Sequence, residues 1–126
     1  MTFKIEKREF YSWPVEHTIG NSGGERQLMK FDVLFKALPT SAVKDISERS
    51  GKGLDDNAFL SEVLHGWSGL AGKDGEEFAY NAENRRLLLE LYPGLAGSIY
   101  VSWFHSVTGG IGSAANLLLG MAARKN

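Results

Sequence analysis

The residues able to do chemistry are few and scattered. His17, His65 and His105 are the only histidines among 126 residues, and there is no cysteine. No two histidines stand at the i, i+4 spacing that puts two metal ligands on one helix face, and no HExxH occurs. Without cysteine there is no thiolate metal site, no thiol nucleophile and no disulfide framework. No GxSxG nucleophile elbow is present. Asn21-Ser22-Gly23-Gly24 and Gly51-Lys52-Gly53 are glycine-rich, but neither has the GxxxxGK[ST] spacing that cradles phosphate, and both read as turns. Asp74, Glu76 and Glu77 cluster in one loop without EF-hand spacing, so they read as solvated acids. The expected protein is a non-enzyme with no metal and no cofactor.

The remaining side chains with something to offer are apolar and cationic, which is the chemistry of binding. Trp13 stands beside Pro14 in a candidate edge strand. Trp67 sits between Gly66 and Gly69, where it either covers the core or faces a partner. Trp103 lies inside an apolar stripe and reads as core. Large aromatics dominate both interfaces and cores. Arg85 and Arg86 are adjacent on a helix, where they meet either solvent or an acidic partner. Leu117, Leu118 and Met121 belong to an apolar segment that follows a glycine-rich hinge. That segment either folds back or docks on another chain, because an exposed apolar helix is a liability in a monomer.

The elements that must position these residues follow from periodicity. In residues 26–36, Met29, Phe31, Val33 and Phe35 alternate with Lys30, Asp32, Leu34 and Lys36, the period of a strand with one buried face. Trp13, Val15, His17 and Ile19 make a second such run, with Pro14 favouring a sheet edge. Phe3 and Ile5 alternate with Lys4 and Glu6 and predict a further strand. A small antiparallel meander results. From residue 40 the period changes to helical. Thr40 or Ser41 is expected to cap a short helix ending near residue 49. Asp55 is expected to cap the next, in which Phe59, Leu60, Val63, Leu64 and Trp67 form one stripe. Gly72-Lys73-Asp74-Gly75 signals a turn. Asn81 is expected to cap a third helix, with Glu83 in its first turn. Pro93 is expected at the first position of a fourth helix carrying Leu95, Ile99, Trp103 and Val107, apolar on nearly all sides and therefore deep in the fold. Gly109-Gly110-Ile111-Gly112 ends it.

The fold class is thus α+β: an N-terminal antiparallel β-meander followed by a bundle of four to five helices. One domain is expected over residues 1–126, with a β-rich part at 1–38, a helical core at 39–108 and a glycine-hinged apolar segment at 109–126. Folding a chain of this size buries roughly two thirds of its extended surface, enough for one core. The formal net charge is −1 with interspersed signs, so nucleic acid is not an expected partner. No run reaches the roughly 20 apolar residues of a membrane span. No secretory signal pattern opens the chain. Together these suggest a cytoplasmic protein.

The order and spacing over residues 30–107 resemble the tail assembly chaperones of long-tailed bacteriophages or prophages. The resemblance rests on Phe31-x-Val33-x-Phe35 with Leu38-Pro39, then Asp55-Asp56 ahead of Phe59-Leu60. It continues through Val63-Leu64, Trp67-x-Gly69-Leu70 and the Asp74-Gly75 turn. Phe78-Ala79-Tyr80 and Asn84 then lead into Leu87-Leu88-Leu89 and Pro93. It implies a non-enzymatic escort that binds the tape-measure protein, with the tail-tube protein as a second partner, in the host cytoplasm and absent from the finished virion. It also implies a frameshift-extended second form. The alternative is a structural virion accessory, a head–tail or tail-tube component. Self-association into a homo-oligomer is compatible with either. Trp13, Trp67, Arg85, Arg86, Leu117, Leu118 and Met121 are the candidate partner-binding residues, chosen from local chemistry.

Overall fold

The computed structural model describes residues 2–109. The two alternating runs form long antiparallel strands, β1 (Phe10–Gly20) and β2 (Arg26–Lys36), joined through a 3₁₀ turn at Ser22–Gly24. The register sets Trp13 opposite Val33 and Val15 opposite Phe31. Alternation puts Val15, Phe31, Val33 and Phe35 on one face, all at most 3% exposed. Both ends of the ladder fix its phase. Ala37 N–H donates to the Glu9 carbonyl and Asn21 N–H to the Glu25 carbonyl, each at 2.8 Å. In antiparallel pairing such bonded pairs alternate with unbonded ones. Odd-numbered residues of β1 therefore bond to β2, and even-numbered ones, Pro14 among them, turn their backbone groups to the open edge.

The third strand is not the expected one. Residues 2–7 form no strand, and Phe3 and Ile5 are 88% and 95% exposed. Strand β3 is instead Leu64–Ser68, antiparallel to β2 in the order β1-β2-β3. The single helical stripe expected over residues 59–67 is therefore corrected. Helix α2 (Asp56–Val63) stops where β3 begins, and Trp67 ends a strand rather than a helix. Gly66 disfavours continuing the helix by about 1 kcal/mol, and the even-numbered residues of β2 offer unpaired backbone groups that β3 can satisfy. The apparent stripe has a geometric source. Leu64 pairs with Phe35 and Gly66 with Leu34, so His65 is an extra, bulged residue. The bulge lets Leu64 and Trp67, three apart, both face the core side, a spacing that a regular strand forbids.

The helices are bounded by local chemistry. Helix α1 (Thr40–Gly51) has Pro39 at its cap and no side-chain cap bond, so neither Thr40 nor Ser41 plays the expected part. The Pro39 carbonyl accepts from Ala42 and Val43 N–H groups instead. Asp55 caps α2 by accepting from Ala58 N–H at 3.1 Å. Asn81 caps α3 (Ala82–Leu91), accepting from Asn84 N–H at 2.7 Å. Helix α4 (Leu95–Thr108) starts after Gly94, whose φ of 85° is a conformation L side chains rarely adopt. Pro93 thus precedes the helix cap instead of occupying the first helical turn.

Helix α4 packs across β1. It is not buried all round. Leu95, Ala96, Ile99, Trp103 and Phe104 face the core, while Gly97 is exposed and Val101 is 52% exposed on the other side. Trp103 is fully buried and meets Phe59 edge-on at 5.6 Å. Replacing a side chain of this size by alanine removes its transfer free energy and leaves a cavity. Trp103→Ala is expected to cost about 3–5 kcal/mol by denaturant titration, against well under half of that for Trp103→Phe.

Candidate interaction surface

The small residues on the outer side of α4 leave room between the helix and the open edge of β1. Trp13, Pro14, Gly97, Ser98, Val101 and His105 line a groove of about 710 Å³ there. Trp13 is half-buried: part of its ring rests on the core and part faces the groove. His17 Nδ1 and Ser98 Oγ lie 2.7 Å apart and tie β1 to α4 beneath it. That pair has the spacing of a nucleophile and base, but no carboxylate bonds to His17 among the described residues. The Ser98 N–H is occupied by the Gly94 carbonyl. The three histidines lie apart in the fold. His17 contacts Ser98, His105 lines the groove, and His65 stacks on Phe10 at 3.8 Å. Among the described residues no three His, Asp or Glu side chains gather in a way that could hold a metal ion.

Trp67 is a clasp. Its Nε1–H donates to the Phe78 carbonyl at 2.7 Å, while the ring stacks on Phe78 and meets Tyr80 edge-on. It thereby ties the segment after β3 back onto the sheet. That segment turns at Gly72-Lys73-Asp74-Gly75, where Gly72 N–H donates to the Glu76 carbonyl and Gly75 N–H to the Gly72 carbonyl. Asp74, Glu76 and Glu77 are exposed on this turn.

The two arginines separate. Arg85 donates to Asn57 Oδ1 at 2.7 Å and to the Tyr80 hydroxyl at 2.9 Å, joining α3 to α2 and to the segment clasped by Trp67. Arg86 is exposed. Leu117, Leu118 and Met121 lie outside the described residues. Of the predicted site residues inside them, only Trp13 lines the groove. Gly97, Ser98 and Val101 were passed over because the apolar stripe of α4 hid its second face. The signal was the small-residue series Gly94, Gly97, Ser98 and Ser102, where a fully buried helix would carry bulk. Arg49, which bonds both carboxylate oxygens of Glu62 at 2.7 and 2.9 Å and joins α1 to α2, was missed as well. Only its i, i+4 partner Asp45 was adjacent in the sequence pattern.

A second groove, of about 650 Å³, opens at the other end of β1, lined by Tyr11, Leu38, Pro39, Val43 and Val107 together with Lys7 and Arg8. Ser106 Oγ donates to the Trp103 carbonyl, so in the 2.7 Å contact between Tyr11 and Ser106 the phenol is the donor. Burial raises the Tyr11 pKa, and the Ser106 bond and the nearby Arg8 charge offset part of that rise.

The described residues form a small α+β domain with two exposed recesses beside α4, each lined by a mixture of apolar and polar side chains. No family model, curated protein or solved structure matches the chain. No helix among the described residues is long and apolar enough to cross a membrane.

Two outcomes are expected from these contacts. Arg85→Ala should lower stability by about 0.5–1.5 kcal/mol, the net worth of hydrogen bonds to half-buried partners, while Arg86→Ala should stay within about 0.5 kcal/mol. Tyr11 has a folded pKa above its unfolded value. Its contribution to stability is therefore full below about pH 10 and lost as pH rises through the folded value. Tyr11→Phe should reduce the alkaline decline in chemical-denaturation midpoints above about pH 10, leaving the part due to Tyr100, whose pKa burial also raises.

Proposed function

We propose that this protein is a binding module that covers an apolar helical segment of a client, and that the client is the tape-measure protein of a long phage tail. The observation supporting a binding role is the groove between the open edge of β1 and α4. Trp13 gives it an aromatic anchor, and Gly97 and Ser98 let a second backbone approach closely. A helix with one apolar face fits such a recess by ridge-into-groove contact. The client is named on the resemblance over residues 30–107. Long helical proteins with apolar surface aggregate unless covered before assembly, which gives an escort its purpose. On this reading the protein acts in the host cytoplasm and leaves before the virion is complete. Its alternative is a structural part of the tail or of the head–tail junction.

The groove offers a clean test. A Cβ at Gly97 would meet nothing within 4 Å, and its backbone is ordinary helix. Gly97→Gln should therefore leave the fold intact, or stabilise it by up to about 1 kcal/mol through helix propensity, while filling the groove. In co-expression with the tape-measure protein, the unaltered chain should hold the client soluble and co-purify with it. Gly97→Gln should reduce recovery at least about tenfold with the melting temperature unchanged or raised. A client that stays insoluble with either chain, or binds both equally, overturns the reading. Presence of the protein in purified tails at stoichiometric amounts would favour the structural alternative.

A further inference from the structure

The second groove differs from the first in charge. Lys7 and Arg8 stand among its lining residues, and no aspartate or glutamate does. The groove assigned to the client has the reverse: Glu16 lines it, and no lysine or arginine does. Among the described residues the ion pairs are Lys30 with Glu16, and Arg49 with Asp45 and Glu62. Lys7 and Arg8 therefore have no carboxylate partner there. Both are exposed and precede β1. Arg8 lies over the Tyr11 ring, its guanidinium carbon 4.9 Å from the centroid. That cation–π contact holds the charge beside the groove.

Beside these cations the floor is apolar. Tyr11, Leu38, Val43 and Val107 pack on the core by one side and stay half-exposed by the other, and Pro39 and Thr40 at the margin are exposed. The Tyr11 phenol is bonded to Ser106, so its proton is held within the protein. The volume, about 650 Å³, lies in the range of ligand clefts. Such clefts enclose a small molecule on most sides, whereas this one is rimmed by exposed residues. A chain segment lying across the opening can use it, while a free small molecule would stay mostly in water. Nucleic acid is a poor match too, because phosphate recognition takes several cations along the backbone, not two beside an apolar floor. Arginine beside a hydrophobic recess suits a carboxylate that flanks apolar side chains. Charge-assisted bonds to carboxylate are paired and directional, and complementary charge steers the encounter.

We infer that the groove formed by Tyr11, Leu38, Val43 and Val107 seats an acidic segment of a partner protein. Large apolar side chains of that segment rest on the floor, and flanking carboxylates meet Lys7 and Arg8. This holds whatever client the other groove takes. The two recesses beside α4 then select by charge. Glu16 repels an acidic segment from the first, and Lys7 and Arg8 draw one to the second.

The test presents the full chain to a displayed library of random peptides of about twelve residues. Each enriched clone is rescreened on Lys7→Glu combined with Arg8→Glu. Both positions are exposed and lie ahead of the first strand, so the fold should hold, and an unchanged melting temperature checks that it does. A control variant, Arg26→Glu combined with Lys73→Glu, reverses the same charge at exposed positions outside this groove. A set of clones should carry Asp or Glu flanking Leu, Phe or Trp. By fluorescence anisotropy of the synthetic peptide, these should bind the Lys7 and Arg8 variant at least about tenfold more weakly and the control variant as well as the unaltered chain. Replacing Leu, Phe and Trp of the peptide by Ser should also weaken binding at least about tenfold. Absence of acidic clones, their retention by the Lys7 and Arg8 variant, equal loss on the control variant, or no effect of the serines would each overturn the inference. So would self-association that excludes the peptide and is released by the Lys7 and Arg8 substitutions, since it makes a second copy the occupant. No client enters the experiment, so its outcome is separate from that of the co-expression test.

Discussion

A slip of one residue in the pairing of β1 with β2 would put Val15 on the face opposite Phe31, Val33 and Phe35, so that one strand's apolar set would turn out to water. If the β2 set were the one exposed, three apolar side chains at about 1.5–3 kcal/mol each would cost about 4.5–9 kcal/mol, comparable to the whole stability of a typical domain. The register therefore has to hold before anything else can form. It places the apolar face on which α4 lies, and it decides which backbone groups of β2 are left for β3. It also puts Trp13 and His17 on the face that meets α4, so both grooves inherit their walls from it. Bonded pairs at Glu9–Ala37 and Asn21–Glu25 pin this register at both ends.

Period and cap chemistry were readable without coordinates because they are local. The β1 and β2 alternation, the turn between them, the Asp55 and Asn81 caps and the burial of Trp103 all follow from residues within one turn or one strand. What could not be read depended on partners distant in sequence. Leu64 and Trp67 look like neighbours on a helix because the His65 bulge gives a strand the same three-residue repeat of inward side chains. Phe3 and Ile5 carry a strand pattern but lie exposed outside the sheet. The α4 stripe suggested burial on all sides, since hydropathy does not report that Gly97 and Val101 face outward. Of the candidate site, Trp13 was legible because its neighbour Pro14 marks an edge. Arg85 was not, because its partners Asn57 and Tyr80 lie on other elements.

Trp67 and Arg85 show how interaction candidates become structural. Both are the residue types that carry binding energy at interfaces, and both are engaged within the chain. Trp67 holds Phe78 and Tyr80, and Arg85 holds Tyr80 and Asn57, so the two meet at Tyr80. The segment between β3 and α3, which contains little regular structure, is fixed to the sheet by Trp67 through Phe78 and Tyr80, and Arg85 links that Tyr80 to Asn57 on α2. The β1 side of the molecule carries the two grooves flanking α4, while Leu87 and Leu91 expose further apolar surface on α3.

Pro14 stands in the middle of the open edge of β1 and has no N–H to give. The edge is thereby divided: Ser12 lies on one side of it, Glu16 and Thr18 on the other, and neither stretch is long enough to template a second sheet in register. The recess beside that edge has no such obstacle, because it is bounded by side chains and by the glycine surface of α4. One flank of the molecule thus refuses an extended chain while leaving space for a coiled one.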